Sequence, residues 1–204
     1  MAPRRYDRRS RNAAAEETRR RIVRATAELH AEHGGLGTTH RMIAERAGVS
    51  VPTVYKYFPT RNDLIPHCTG LVFSEAPVRL DGSALEGKTE VPERLRAVVR
   101  RAYELYDYAE PWLRWSARDA PELPALQAVL AQAAEGRAAL VRAALAPGFS
   151  GRPPRRLVAL ASILIDYPAW RALLAAGYTT AGAIDATAEA LITLFSQARS
   201  KDAS

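Results

Sequence analysis

One cysteine, Cys68, stands in a chain of 204 residues. A lone thiol closes no internal disulfide, so packing must hold the fold, and a reducing compartment suits it. Cys68 itself is expected as a buried thiol on the apolar side of a helix rather than as a redox sensor. Long apolar runs are missing too: none approaches the roughly 18 residues of a membrane-spanning helix, so no membrane partner is expected. The opening segment, MAPRRYDRRSRN, has charge but no apolar stretch behind it and does not read as a secretory signal. A cytoplasmic protein is therefore expected. Strand-like alternation and repeats of solenoid period are absent. Catalytic signatures are absent as well: no G-x-S-x-G, no P-loop, no dinucleotide fingerprint, and no paired carboxylates set for acid–base work. His30 and His33 lie one helical turn apart, but no Cys or carboxylate stands at ligand spacing beside them. No enzyme, no metal and no cofactor are expected.

Basic charge, by contrast, is plentiful and unevenly placed. Residues 1–61 hold 13 of the 29 Lys and Arg but 6 of the 22 Asp and Glu, an excess of +7 that equals the net charge of the whole chain. Residues 62–204 are neutral in sum. A solvated basic tail accounts for Arg4, Arg5, Arg8, Arg9 and Arg11, but not for the turn to neutrality after residue 61. The asymmetry points to a polyanion-binding domain over 1–61 and a neutral domain over 62–204.

The stretch TTHRMIAERAGVSVPTVYKYFPTRNDL, Thr38 to Leu64, shows what that first domain is. Thr38 or Thr39 can cap a helix in which Ile43, Ala44 and Ala47 share one face. Gly48 is placed to end it in a left-handed residue; Ser50 caps a second helix, and Pro52 is tolerated in its first turn. That second helix, about Val51 to Phe58, is too short to stand alone. Its hydroxyls and cation, Thr53, Tyr55, Lys56 and Tyr57, suit base edges and phosphates in a DNA groove. Thr60 and Asp63 form a capping box that opens the next helix. The pattern is a helix-turn-helix.

GTTHRMIAERAGVSVPTVYKYFPTRNDLI resembles the DNA-binding domain of the TetR family of bacterial transcriptional regulators. The resemblance covers about residues 18–65 and rests on IAERAGVS, Tyr55, Tyr57-Phe58 and the Thr60–Asp63 helix start. Departures from the family pattern are Gly35 in place of an aromatic, His40 in place of an apolar residue, and Val51-Pro52. Pro66, early in the fourth helix, removes a backbone donor there. On this reading Thr38, Thr39, Arg41, Tyr55, Tyr57 and Arg61 face phosphates, Val51, Pro52, Thr53 and Lys56 lie nearest base edges, and Ser50 sits at the cap between them.

The remaining pattern is helical throughout, about nine helices in all. A first helix spans about Thr18 to His33. A polar, exposed linker is expected over 79–90, then helices over Pro92–Ala109, Pro111–Arg118, Glu122–Ala146, Arg155–Ala176 (bent at Pro168) and Ala181–Ala198. The 155–176 segment is apolar on more than one side, so it either meets a partner beyond its own core or is the central helix of a monomer. The resemblance implies that the last two long helices dimerise through a four-helix bundle, which places Leu157, Leu164, Ile184, Leu191 and Phe195 at the seam. Five of the chain's 15 aromatics fall between Tyr103 and Trp115. With Tyr167 and Trp170, the group Tyr103, Tyr106, Trp112 and Trp115 suits either a ligand cavity or an ordinary core.

The reading that results is an all-α, homodimeric regulator, expected to be a repressor, that binds a palindromic double-stranded operator and is released by a small-molecule effector. Two rivals are an architectural DNA-binding protein without an effector and a helical enzyme joined to a DNA-binding domain.

Overall fold

The computed structural model describes the backbone of residues 4–202 and the side chains of residues 11–200. The side chains of Arg4, Arg5, Arg8 and Arg9, expected as a basic arm, lie outside the described residues. Among those described there are ten α-helices, three short 3₁₀ turns and no strand. The helices are α1 (Arg4–Gly37), α2 (His40–Ala47), α3 (Val51–Tyr57), α4 (Arg61–Ser74), α5 (Val91–Leu113), α6 (Ser116–Asp119), α7 (Pro124–Leu145), α8 (Arg155–Leu164), α9 (Tyr167–Ala175) and α10 (Thr180–Asp202). Packing groups Met1–Glu75 with Arg114–Val129 in one compact unit, and Ala76–Leu113 with Leu130–Ser204 in another. The packing boundary after Glu75 and the charge boundary after residue 61 are thus different divisions of the chain.

In the first unit Ile22, Leu29, Ile43, Val54, Phe58, Leu64 and Ile65 form a closed apolar centre. Pro66 lies inside α4, which continues past it to Ser74. Cys68 is buried as expected, and burial pushes its thiol up to about 11. Helix α1 runs well beyond the expected span at its N-terminal end and breaks at Gly34, where φ is 76°. The left-handed φ favours glycine, and a Cβ there would also press on the ends of the Arg118 and Asp119 side chains. The break frees backbone groups on both sides, and the returning segment 114–119 takes them up. The N–H groups of Gly35 and Leu36 donate to the buried Asp119 carboxylate at 2.6 and 3.3 Å. The carbonyl of Ala31 accepts from Arg114 and from the Trp115 indole, both at 3.1 Å, and that of His33 accepts from Arg118 at 2.8 Å.

In the second unit α5 and α10 pack along their lengths through Leu95, Val99, Ala102 and Tyr103 against Ala183, Leu191 and Phe195. The buried Tyr103 hydroxyl donates to the Leu164 carbonyl at 2.7 Å and lies 3.0 Å from Thr187 Oγ1.

Several sequence expectations are corrected. The 155–176 helix is two helices bent by 51°. Asp166 accepts the Tyr167 N–H at 2.8 Å and Pro168 follows in the first turn, so this sequence starts a helix rather than bending one. Helix α5 does not stop before Pro111; the proline falls in its last turn and forfeits a single N–H. The helix expected over 111–118 reduces to the single turn of α6. The linker over 79–90 is not wholly exposed: Asp81 caps a 3₁₀ turn, Gly82–Leu85, whose Ala84 and Leu85 are buried.

His30 gives a stability test. Burial drives its imidazole down to about 4 from 6.5, against a smaller opposing pull from Asp119 and a further push from Arg61. The folded protein holds His30 neutral where the unfolded chain binds a proton. Stability is therefore unaffected well above pH 6.5, falls as pH drops through 6.5, and levels off below about 4. The full loss is on the order of 3 kcal/mol. Denaturant unfolding of the parent and of His30→Gln across this range should show that component in the parent only; equal pH dependence in both would refute it.

Candidate nucleic-acid interface

The helix-turn-helix is built as its sequence reads. Thr39 accepts the Met42 N–H at 3.2 Å to start α2, and Gly48, at φ 62°, ends it. Ser50 accepts the Thr53 N–H at 3.3 Å to start α3. The Thr60–Asp63 capping box starts α4: the Thr60 N–H donates to the carboxylate at 2.8 Å, and the Asp63 N–H donates to the hydroxyl at 3.3 Å. The Thr60 hydroxyl and N–H hold the Asp63 carboxyl below its usual range. Arg21 of α1 closes the turn from behind, with Nη2 2.8 Å from the Gly48 carbonyl and Nε 3.1 Å from that of Ala47.

The expected contact residues divide by exposure. Thr39, Arg41, Ser50, Pro52, Tyr55, Lys56 and Arg61 are exposed, and Val51, Thr53 and Tyr57 are half-buried. Thr38 is different: it is 1% exposed, and its hydroxyl donates to the Gly34 carbonyl at 2.8 Å. Its side chain serves the α1 break, a bond that helix spacing does not reveal. His40 also has a role that spacing did not reveal. Its ring stacks on Tyr55 with centroids 4.2 Å apart and planes 3° from parallel, and Nε2 lies 2.9 Å from the Phe58 carbonyl. The start of α2, the outward tyrosine of α3 and the end of α3 are thereby fixed to one another. The departure from an apolar residue at position 40 was the only hint. Beside them Arg19 reaches His67 at 2.9 Å, and burial followed by Arg19 keeps His67 below its ordinary value. This pair belongs to a groove of about 430 Å³ between α1 and α4 that also includes Arg20, Arg24 and Leu71.

The aromatic residues expected around a ligand do not all meet. Tyr103, Tyr106, Tyr167 and Trp170 gather in the second unit, with Tyr106 5.8 Å from Tyr167 and 6.2 Å from Trp170 between ring centroids. Trp112 pairs with Tyr108 at 5.9 Å. Trp115 belongs to the first unit, with the guanidiniums of Arg114 and Arg118 5.4 and 4.6 Å from its ring centre. Its indole N–H is committed to Ala31. Of the residues expected at a dimer seam, Leu157, Ile184, Leu191 and Phe195 are buried in the second unit's own core, and Leu164 packs partly buried against it.

Residues 22–68, which contain this helix-turn-helix, match the family profile of bacterial regulatory proteins, tetR family. These residues are a domain of the tetR-family type. The chain is 37% identical over 86 residues to the HTH-type transcriptional repressor KstR of Mycobacterium tuberculosis, covering 42% of this chain and 39% of that protein. The KstR of Mycolicibacterium smegmatis matches at the same identity and length, over 42% of its own chain. The match therefore spans about two fifths of these relatives. Solved structures extend the likeness of fold across the chain. A Clostridium perfringens protein assigned as a fatty acid metabolism regulator gives a TM-score of 0.64 at 15% identity, covering 84% of this chain and 96% of its own. A Rhodococcus sp. protein assigned to the TetR-family transcriptional regulators gives 0.63 at 19%, covering 88% and 99%. At such identities the likeness is one of fold.

Two substitutions test whether exposure also divides DNA-reading from framework roles among the expected contact residues. Lys56→Ala should cost about 1–3 kcal/mol at one preferred base pair and relax selectivity there. Thr38→Val should lower stability by about 1 kcal/mol through the lost hydrogen bond while leaving the selected DNA sequence unchanged. Binding-site selection with each purified variant decides; an altered sequence preference for Thr38→Val would overturn the division.

Proposed function

We propose that the protein is a transcriptional repressor that binds a palindromic operator as a homodimer and is released when a small-molecule effector binds in the second unit. The observation that carries this reading is the capped helix-turn-helix of a basic unit that presents Tyr55, Lys56 and Arg61 outward. A cation and hydroxyls on an otherwise exposed short helix suit a DNA groove, and Thr39 and Arg61 at helix starts suit phosphates. Repression is supported by the likeness to the KstR repressors. The neutral charge of residues 62–204 suits a domain that meets a small molecule rather than DNA.

Dimerisation is supported by the outer side of α8. Leu157, Val158 and Ala161 face the core, while Leu160 and Ile163 are 36% and 63% exposed. Large apolar side chains on the far side of a packed helix suit a second copy, and a twofold pair of recognition helices suits a palindrome.

Fragments selected from genomic DNA by the purified protein should share a palindromic element. Binding to it should weaken steeply with salt, with a slope corresponding to roughly 6–10 phosphates per dimer. Ile163→Glu should give a folded monomer by sedimentation and a large loss of operator affinity. A parent that sediments as a monomer at micromolar concentration would refute the dimer, and selected fragments without any common element would refute the operator.

A further inference from the structure

Three buried N–H donors of the second unit, on Arg94, Arg137 and Trp170, find no acceptor among the described residues, and the last two stand beside one tyrosine. Trp170 is 1% exposed, and its indole N–H has no partner. The Arg137 side chain is 10% exposed; Nη2 pairs with Asp166 at 3.0 Å and Nη1 donates to the Tyr106 hydroxyl at 3.4 Å, while the Nε–H has no partner. Both side chains border Tyr106, whose ring centre is 6.2 Å from that of Trp170. Buried donors are matched in nearly all folded proteins, because an unmatched one has given up water for nothing. Two around one tyrosine mark a place built to receive an oxygen.

The surroundings suit an apolar body attached to that oxygen. Tyr106, Tyr167 and Trp170 pack edge-on and tilted against one another with centroids 5.7 to 6.2 Å apart, an aromatic environment beside the two donors. Helix α7, which carries Arg137, buries no side chain fully before Leu140, although Leu130, Ala134 and Ala138 are half-buried. Burial pushes the Tyr106 hydroxyl up to about 12, so it stays neutral and the charge here is that of Arg137 and Asp166 alone.

We propose that Arg137, Trp170 and Tyr106 form the small-molecule site, and that its ligand is a neutral apolar or aromatic compound with one carbonyl oxygen. The role of that compound as effector rests on the ligand-responsive function proposed above. A carbonyl oxygen has two lone pairs and can accept from both the Arg137 Nε–H and the Trp170 N–H. A carboxylate suits the site less, because Asp166 already balances Arg137 and a second buried anion would be uncompensated. A plain hydrocarbon suits it less, because both donors stay unmatched.

Three molecules of nearly one shape separate these cases: benzylacetone, hydrocinnamate and butylbenzene. Each is titrated calorimetrically into the full-length protein at neutral pH, and operator release is followed in parallel by anisotropy. Benzylacetone should bind at least roughly tenfold more tightly than either of the others. Trp170→Phe keeps a ring and loses the N–H; Arg137→Met keeps the stem and loses the Nε–H. Each should cut the preference for benzylacetone over butylbenzene several-fold, with thermal melting showing which variants are folded. Equal or tighter binding of hydrocinnamate or butylbenzene overturns the proposal. So does binding of none of the three, or an unchanged preference in a folded variant. If benzylacetone binds with the expected preference but leaves operator affinity unaltered, the site stands and the ligand-responsive function fails.

Discussion

The Asp119 carboxylate, wholly buried, lies across the break in α1 and accepts the N–H groups of Gly35 and Leu36. A helix interrupted in its course exposes carbonyls on one side and N–H groups on the other, and neither set can remain unpaired inside a protein. The segment 114–119 supplies both kinds of partner: a carboxylate for the N–H groups, and the Arg114, Trp115 and Arg118 donors for the carbonyls of Ala31 and His33. The buried anion is not alone, since Arg118 Nε pairs with it at 2.6 Å. Without the carboxylate each orphaned N–H would cost about 1–3 kcal/mol. The angle at which the chain enters α2, and with it Thr39 and the recognition helix, depends on this junction.

Arginines in the first unit divide between holding the fold and facing outward. Arg21 caps the α2 end, Arg24 pairs with Glu75 at 2.6 Å, and Arg46 bridges Glu28 and Glu32 at 3.4 and 2.9 Å. Such exposed pairs add little stability individually, but they commit those cations to neighbours within the unit. Arg41 pairs more loosely with Glu45 at 3.7 Å, and Lys56 and Arg61 are left on the outward surface of the motif. The 13 basic residues of 1–61 are therefore more than the cations left to face DNA.

Local signals carried most of the fold into view. Thr39, Gly48, Ser50 and the Thr60–Asp63 box act through backbone groups a few residues away, so their spacing is visible in sequence. The break before α9 was equally local, in Asp166-Tyr167-Pro168, but was masked by the continuous apolar pattern on both sides. What sequence could not show was pairing at long separation. Trp115 reads as one of a run of aromatics on a ligand wall, yet its indole is bound to Ala31, 84 residues earlier. Likewise the periodic stripe of Leu157, Ile184, Leu191 and Phe195 reads as an interface, because apolar periodicity does not distinguish a partner subunit from the subunit's own core. Arg137 carried no sequence signal at all; only burial beside Asp166 and Tyr106 singles it out.

The placement of Cys68 has a kinetic side. The thiol is 4% exposed, lies 3.5 Å from His30 Nδ1 and donates to the Ile65 carbonyl at 3.3 Å, so in the closed unit it is neither accessible nor ionised. Alkylating reagents attack thiolates, and so can reach this sulfur only after α4 has come away from α1. With one cysteine in the chain, and reclosing faster than chemistry, the rate of modification is the equilibrium constant for opening that pair of helices multiplied by an intrinsic rate constant that a small thiol can supply. The first unit thus contains its own gauge of local opening, readable without any added label.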